Sequence, residues 1–225
     1  MMTDSTTDSA PDPAPGSSLA DTEFVVRSMA QTAVDNEREF GDLDAVVGDG
    51  DFGYSLARGF EIVLADWNDF DRSNPAAFLQ KVAMVIAGRV GGTSGPLWGT
   101  AFLRASGAVR GKDELTGGDV VAMLRSAVEG IKARGNSDLG DKTLLDSLVP
   151  ATDALEAEVA AGTDAAASVA RMAAVARSTA DATTSMLAKR GRASYTGERS
   201  IGSPDPGAVA VAVMLERLSD EWAHR

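Results

Sequence analysis

Eight segments of the chain repeat apolar residues at the spacing of an α-helix, and this periodicity limits the possible folds more than any other feature. In the first segment, 22–40, Phe24, Met29 and Ala33 fall on one side of a helix. Alanine, the strongest helix former, is abundant throughout, and no segment shows the two-residue alternation of a strand. We therefore predict an all-α fold of about eight helices. The other segments are 56–67, 75–90, 95–109, 119–133, 143–160, 164–188 and 206–222.

Four glycine-rich joints that are dense in polar side chains separate some of these segments. Loops in a plain helical bundle only have to turn, so long polar connections favour a functional role. The last joint is seventeen residues long and carries several charged side chains. The four joints are LDAVVGDGDFG (43–53), GRVGGTSG (88–95), GDKT (140–143) and GRASYTGERSIGSPDPG (191–207).

The N-terminal residues 1–20 differ from the rest in being rich in Ser, Thr, Asp and Pro. Such a composition cannot form a packed core, so we expect a disordered tail over 1–20 and one helical domain over 21–225. No apolar run reaches the ~18 residues of a membrane span, and no signal sequence is recognisable. We expect a cytoplasmic protein that does not enter a membrane.

The net charge of −12 restricts the possible ligands. An acidic surface repels a phosphate backbone, so nucleic-acid binding is not expected. A nucleotide can still bind where a divalent cation reverses the local charge. The chain has no cysteine, and its only histidine, His224, lies one residue from the C-terminus. Thiolate metal sites, cysteine nucleophiles and histidine bases are therefore not expected on this chain.

The first joint concentrates carboxylates at Asp44, Asp49 and Asp51. Gly48 and Gly50 let the backbone bend sharply, so these side chains can converge on one point. Mg²⁺ prefers hard oxygen ligands and combines carboxylates with substrate phosphates. The alternative is an acidic turn that caps the next helix. An EF-hand calcium loop is disfavoured because the alternating oxygen ligands and terminal glutamate are missing.

The second joint places Thr93 and Ser94 in a glycine-rich turn before a helix. Helix N-termini bind anions through free N–H groups and the positive end of the dipole. Many helices simply begin after such a turn, which is the structural alternative. The lysine of a Walker A loop is absent, and without strands a dinucleotide-binding G-x-G-x-x-G unit is excluded.

The last two joints add cationic side chains. Lys142 stands near a helix start, where it is either a surface charge or a phosphate contact. Arg192 and Arg199 can pair with phosphate through two parallel hydrogen bonds. The turn 205–207 is suited to lining a pocket for a nucleotide base. Taken together, the four joints predict a combined metal and phosphate site.

Four motifs resemble, in the same order, those of the L (nucleotide-binding) subunit of dihydroxyacetone kinase. They are GDGDFG, GGTSGPLWG, GDKTLLDSLVPA and GRASYTGERSIGSPDPGA, of which the last is long and specific. The resemblance covers about 21–222. It implies an eight-helix antiparallel barrel with a nucleotide and magnesium site at one end.

The resemblance also implies functions for individual residues. Two Mg²⁺ ions, held by Asp44, Asp49 and Asp51, would bridge the phosphates of ATP or ADP. No further catalytic residue is expected on this chain. The implied nucleotide contacts are Phe52, Gly53, Tyr54, Ser55, Thr93, Ser94, Gly135, Leu144, Arg192, Asp205, Pro206 and Gly207.

Three positions depart from the family pattern. Phe52 stands where the family usually has histidine, Ser55 where it has asparagine, and Ser203 where histidine is common. Phe52 cannot hydrogen-bond a phosphate and could only pack against sugar or base. The departures leave the metal ligands intact and leave open a related ketose, such as a tetrulose, as the acceptor.

In the family, a separate K subunit holds the ketone covalently and supplies the base. The resemblance therefore implies a kinase subunit that is inactive without a K-type partner. The phosphate source stays open between ATP and an ADP that a phosphotransferase-system phosphohistidine protein rephosphorylates, and so does the oligomeric state, a homodimer included. Two alternatives from other classes are an ADP-sensing regulatory module that binds a protein partner without catalysis, and a structural helical protein.

Overall fold

The computed structural model describes residues 16–225, which contain nine α-helices, three short 3₁₀ helices and no β-strand. The all-α prediction is confirmed. The expected tail lies outside the described residues over 1–15, and the first helix begins three residues before the predicted boundary. The α-helices are α1 (Ser18–Asp35), α2 (Glu37–Ala45), α3 (Phe52–Ala65), α4 (Pro75–Arg89), α5 (Ser94–Ala108), α6 (Gly117–Gly135), α7 (Leu145–Ala161), α8 (Ala165–Ala182) and α9 (Pro206–Trp222). The 3₁₀ helices are Trp67–Asp69, Thr183–Ser185 and Arg192–Ser200.

Eight of the nine α-helices form a closed ring. From α3 to α9 each helix packs against the next one in the chain, and α1 closes the ring by packing against both α9 and α3. The remaining helix, α2, packs mainly on α3. The predicted eight-helix antiparallel barrel is confirmed. The N-termini of α3, α5, α7 and α9 share one end, which we call the upper end, and those of α1, α4, α6 and α8 share the lower end.

The first predicted helical segment is divided into two helices at Asn36. Its backbone N–H donates to Thr32 O at 3.1 Å, and its side-chain Nδ2 donates to the same oxygen at 2.8 Å. An asparagine amide that bonds the local backbone competes with helix continuation. The chain therefore restarts as α2, which leads into the first polar joint.

The barrel interior is packed with aromatic and aliphatic side chains. Phe60 meets Trp98 and Phe102 edge-to-face, with ring centroids 6.5 and 6.4 Å apart. A cavity of about 630 Å³ runs between the helices, and apolar side chains such as Met123 and Met172 form most of its lining. Such a lining offers few partners to phosphate. Among residues 16–225, none of the helices has the length and apolar character required to cross a lipid bilayer.

The close contact between α4 and α5 depends on Gly99. A methyl group at this position would lie 2.7 Å from Ala87 Cβ and 2.9 Å from Ala87 Cα, which is too close for unshifted packing. Gly107 lies in the same helix but has open space where its methyl would be. Alanine substitutions at these two glycines can therefore be compared to test the packing of α5 against α4.

Gly99→Ala is expected to lower the free energy of unfolding by about 1–3 kcal/mol, because the added methyl separates α4 from α5. Gly107→Ala is expected to raise it by up to about 1 kcal/mol, since alanine is the better helix former. Urea denaturation of both variants and the parent chain measures the difference. Equal stabilities of the two variants would contradict the packing described.

Candidate functional site

The turn between α2 and α3 brings three carboxylates together at the upper end. Asp44 lies in the last turn of α2, Asp49 in the loop and Asp51 at the N-cap of α3. One carboxylate oxygen from each lies within 4.8 Å of the others. Asp44 is half-buried and the other two are exposed. We call these three residues the carboxylate cluster; that they bind a metal stays a prediction.

Two glycines make this convergence possible. A methyl group at Gly48 would lie 2.3 Å from Asp44 Oδ1, so any side chain there would displace that carboxylate. Gly50 has a φ of +76°, a conformation that other residues rarely adopt. The Phe52 N–H donates to Asp44 Oδ2 at 3.4 Å, and the Phe52 ring packs near Phe40, with centroids 6.1 Å apart. Phe52 therefore has a packing partner within the domain.

The carboxylate cluster carries more negative charge than its own loop can balance. Burial raises the pKa of Asp44, and the charges of Asp49 and Asp51 act in the same direction, against hydrogen bonds from two backbone N–H groups. Arg192 reaches the cluster from the last joint, with Nη1 2.7 Å from Asp49 Oδ2 and Nη2 3.8 Å from Asp51 Oδ2. Converging hard oxygen donors of this kind suit a divalent cation such as Mg²⁺.

The start of α3 lies beside the second joint. A methyl group at Gly91 would lie 3.2 Å from Ser55 Oγ, so the two segments are neighbours. Thr93 is the N-cap of α5 and is exposed, but its side chain makes no capping hydrogen bond; Ser94 follows as the first helical residue. The structure therefore brings Ser55, Thr93 and Ser94 to the same region of the upper end.

The two ends of the barrel differ in how their helices are capped. At the lower end, a side chain accepts a hydrogen bond from the first turn of each of α1, α4, α6 and α8. At the upper end, the N-cap side chains of α3, α5 and α7 make no capping hydrogen bond. The first N–H of α3 donates to Asp44 Oδ2, and that of α7 donates to Thr143 Oγ1. The positive dipole ends of the three helices nevertheless share this end of the barrel, and the first turn of α5 is available to an anion. The lower-end caps are Ser17, Asn74, Thr116 and Asp164.

The fourth upper-end helix, α9, is capped by Asp205, which accepts a hydrogen bond from the Ala208 N–H at 2.8 Å. Although part of the residue is accessible to solvent, protein surrounds its carboxylate, and burial raises its pKa to about 7. A methyl group at Gly207 would lie 3.2 Å from Leu144 Cβ. Leu144, Asp205, the buried Pro206 and Gly207 are therefore brought together, with Asp205 fixing the turn.

The remaining predicted contacts occupy different surroundings. Gly135 ends α6, where a methyl group would lie 3.2 Å from Leu97 Cδ2 in the first turn of α5. Gly53 packs against α2, since a methyl there would lie 1.9 Å from a backbone oxygen of that helix. Tyr54 is 59% exposed and its ring lies 5.3 Å from the Arg58 guanidinium. Gly135 thus adjoins the glycine-rich turn before α5, while Gly53 allows the close contact between α2 and α3.

Lys142 is placed differently from either sequence interpretation. The residue is only 2% exposed, so it is neither a surface charge nor directed at an anion in solution. Its Nζ donates to three backbone carbonyl oxygens of the α8–α9 connection, those of Met186, Ser200 and Ser203. No local pattern marks this role, because the acceptors are backbone atoms more than forty residues away in sequence.

Comparison with known proteins places the chain in a defined family. The sequence pattern of the DAK2 domain matches residues 46–220. The chain is 36% identical over 177 residues to the PEP-dependent dihydroxyacetone kinase, ADP-binding subunit DhaL, of Escherichia coli (strain K12), covering 79% of this chain and 84% of the relative. It is 35% identical over 201 residues to L-erythrulose 1-kinase of Mycolicibacterium smegmatis, covering 87% of this chain. The chain spans about a third of that kinase, 34% of its length.

A solved structure shares the fold. The dihydroxyacetone kinase of C. freundii, in complex with AMP-PNP and Mg²⁺, superposes with a TM-score of 0.73 at 23% sequence identity. The match covers 98% of this chain and 37% of that one. The helical barrel is thus the architecture of a portion of a larger kinase.

Asp205→Asn is expected to weaken the pH dependence of stability. Because the folded-state pKa of Asp205 is about 7, well above that of an unfolded chain, the folded protein binds more protons between about pH 4 and 7. The stability that this carboxyl contributes is complete below about pH 4 and is lost as pH rises through about 7, with a slope of at most about 1.4 kcal/mol per pH unit. The asparagine variant lacks this slope.

Urea denaturation across this pH range measures the effect. Asp164→Asn is the matched control, since Asp164 caps α8 in the same way but is exposed. It should retain the pH profile of the parent chain. Parallel profiles for Asp205→Asn and the parent would disprove the assignment.

Proposed function

This chain belongs to the DAK2 domain family, and we propose that it is the nucleotide-binding, phosphoryl-transferring subunit of a kinase for dihydroxyacetone or a related ketose. The observation that carries the proposal is the carboxylate cluster at the same end of the barrel as three helix N-termini whose N-cap side chains make no capping hydrogen bond. One feature suits a divalent cation and the other suits phosphate oxygens. Binding of a metal-bound nucleotide requires a cation site and a phosphate site side by side.

The relatives support a nucleotide as the ligand. The name of the E. coli relative specifies ADP binding, and the similarity covers most of both chains. The C. freundii kinase of the same fold was crystallised with AMP-PNP and Mg²⁺. We infer that this chain binds ADP or ATP together with magnesium.

In the proposed complex, Asp44, Asp49 and Asp51 hold two Mg²⁺ ions. When bound, these ions would act as Lewis acids that offset charge on the nucleotide phosphates. Gly48 and Gly50 keep the carboxylates converged before any ligand arrives. Such preorganisation is the main contribution a protein makes to phosphoryl transfer.

The other upper-end elements hold the nucleotide itself. Thr93 and Ser94 offer hydroxyls, and the first turn of α5 offers N–H groups, to phosphate oxygens. Arg192 is close enough to the carboxylate cluster for its guanidinium to pair with a phosphate bound there. The neighbouring Leu144 and Gly207 provide an apolar and backbone surface for the base.

The acceptor and its base are assigned to a separate K-type subunit. The sole histidine, His224, follows the C-terminus of α9, far from the carboxylate cluster. Mechanistically, this chain would position the terminal phosphate while the partner presents the ketose hydroxyl and removes its proton. We therefore expect the chain alone to be inactive in phosphoryl transfer.

Two features of the reaction need a direct test. Relatives include PEP-dependent dihydroxyacetone kinases and erythrulose kinases, so the ketose differs within the family, and only some of the relatives' names specify the phosphate source. The chain can be mixed with a K-type subunit, Mg²⁺, ketose and ATP. Sustained turnover with ATP alone excludes a phosphotransferase-system protein as the required donor, and comparison of dihydroxyacetone with erythrulose identifies the preferred acceptor.

Asp49→Ala is expected to abolish saturable MgADP binding in calorimetric titration and to lower phosphoryl transfer with a K-type subunit by at least about 100-fold. The reason is that removing one carboxylate leaves the metal with an incomplete ligand set. Asp42→Ala removes a neighbouring exposed carboxylate that pairs with Arg38 outside the cluster. This control should bind and transfer like the parent chain.

The outcomes separate the alternatives. Loss of both binding and transfer in Asp49→Ala alone supports the kinase subunit. Saturable MgADP binding by the parent chain without transfer in any K-type pairing would instead identify a nucleotide sensor. Absence of binding by the parent chain would rule out both.

A further inference from the structure

The connection between α8 and α9 is fastened to the barrel by the short segment 140–142. It spans residues 183–205 and carries Arg192, whose guanidinium pairs with Asp49 of the carboxylate cluster. Hydrogen bonds from this connection converge on 140–142, which lies just before α7. The position of Arg192 therefore depends on contacts made far from it in sequence.

Lys142 makes the most enclosed of these contacts. Its ammonium donates to the carbonyl oxygens of Met186, Ser200 and Ser203, at 3.1 Å for Met186 and 2.8 Å for Ser203. An ammonium has three donors, and here each has an acceptor. Burial lowers the pKa of Lys142, while the nearby charge of Asp205 opposes that shift. A buried ammonium is tolerated only when it is bonded in this way.

The backbone at Lys142 is also unusual. Its φ is +61°, in the left-handed region that side chains other than glycine and asparagine seldom adopt. Strained conformations of this kind persist only where the surroundings determine them, and they concentrate at functional sites. At Lys142, this backbone conformation accompanies a side chain that is directed at the carbonyl oxygens of the α8–α9 connection.

The two preceding residues bind the same connection from the outside. Gly140 O accepts from Lys189 Nζ at 2.8 Å, and Asp141 O accepts from the Lys189 N–H at 3.0 Å. The Asp141 carboxylate lies 3.3 Å from Arg190 Nε. These contacts are more exposed to solvent than those of Lys142 and are therefore weaker.

We propose that Lys142 is a positioning residue that holds the segment 186–203 at both ends, so that Arg192 faces the carboxylate cluster and the nucleotide phosphates. Met186 precedes Arg192, and Ser200 and Ser203 follow it, so a single ammonium closes the loop that carries the guanidinium. The inference rests on the proposed function for its ligand. It extends that function to a residue that touches no substrate.

Lysine is the residue type that this site requires. Methionine has a similar length but no donors, so three carbonyl oxygens, of which that of Ser200 is in a buried hydrogen bond, would lose this partner. Once released, the segment no longer holds Arg192 in one place. Small displacements of a phosphate-binding group reduce its contribution steeply.

Lys142→Met is expected to weaken MgADP binding by about tenfold or more in calorimetric titration. Hydrogen exchange should show faster exchange of the amides within 186–203, with the amides of α4 and α5 unchanged. Lys189→Met is the matched control, since it makes the same substitution in the same connection at an exposed side chain. It should change MgADP affinity by less than about threefold.

A double-variant cycle with Arg192→Gln tests whether Lys142 acts through the guanidinium. If it does, Lys142→Met should weaken MgADP binding much less in the Arg192→Gln background than in the parent chain. A purely structural role predicts equal losses in both backgrounds. Equal losses would therefore overturn the proposal.

Further outcomes keep this inference distinct from the proposed function. If the parent chain binds no MgADP, the proposed function fails, and unchanged exchange within 186–203 in Lys142→Met would separately refute the anchoring role. If the parent binds and Lys142→Met binds equally well, only the positioning role fails. Should circular dichroism show that Lys142→Met does not fold, Lys142→Gln, which keeps a neutral donor, is compared by the same measurements.

Discussion

Closure of eight antiparallel helices into a ring is the constraint on which the site depends. In such a ring every second connection lies at the same end, so joints far apart in sequence become neighbours. The carboxylate cluster, the turn before α5, the segment 140–142 and the α8–α9 connection all meet at the upper end. Within residues 16–225, the barrel thus brings four local motifs to one end without any strand.

Capping then gives the two ends different chemistry. Each lower-end helix has an N-cap side chain that accepts a hydrogen bond from its first turn, whereas the N-cap side chains of α3, α5 and α7 make none. An acidic protein with net charge −12 gains from this arrangement a local region that can receive phosphate. Asp205 is the exception, because its carboxylate caps α9 and is enclosed by protein.

The sequence predicted those features that depend on local chemistry. The helical periodicity indicated the all-α fold, and Asp44, Asp49 and Asp51 converge because glycines within the same short stretch allow it. The break at Asn36 was missed, since it depends on one side-chain amide that bonds Thr32 O. The burial of Lys142 was missed for a different reason: its acceptors are backbone carbonyls brought close only by closure of the barrel.

Arg192 and Lys142 have different roles in the proposed site. Arg192 brings a positive charge to the carboxylate cluster, and Lys142 holds the backbone that carries Arg192. The Arg192 side chain is 62% exposed and pairs with Asp49, so water and ligands can reach its guanidinium. A cation that enters the cluster competes for the same carboxylates, and a phosphate bound to that cation offers the guanidinium a new partner. Such an exchange requires a free side chain on a fixed backbone. The buried ammonium of Lys142 meets the second requirement because it bonds the connection on both sides of Arg192.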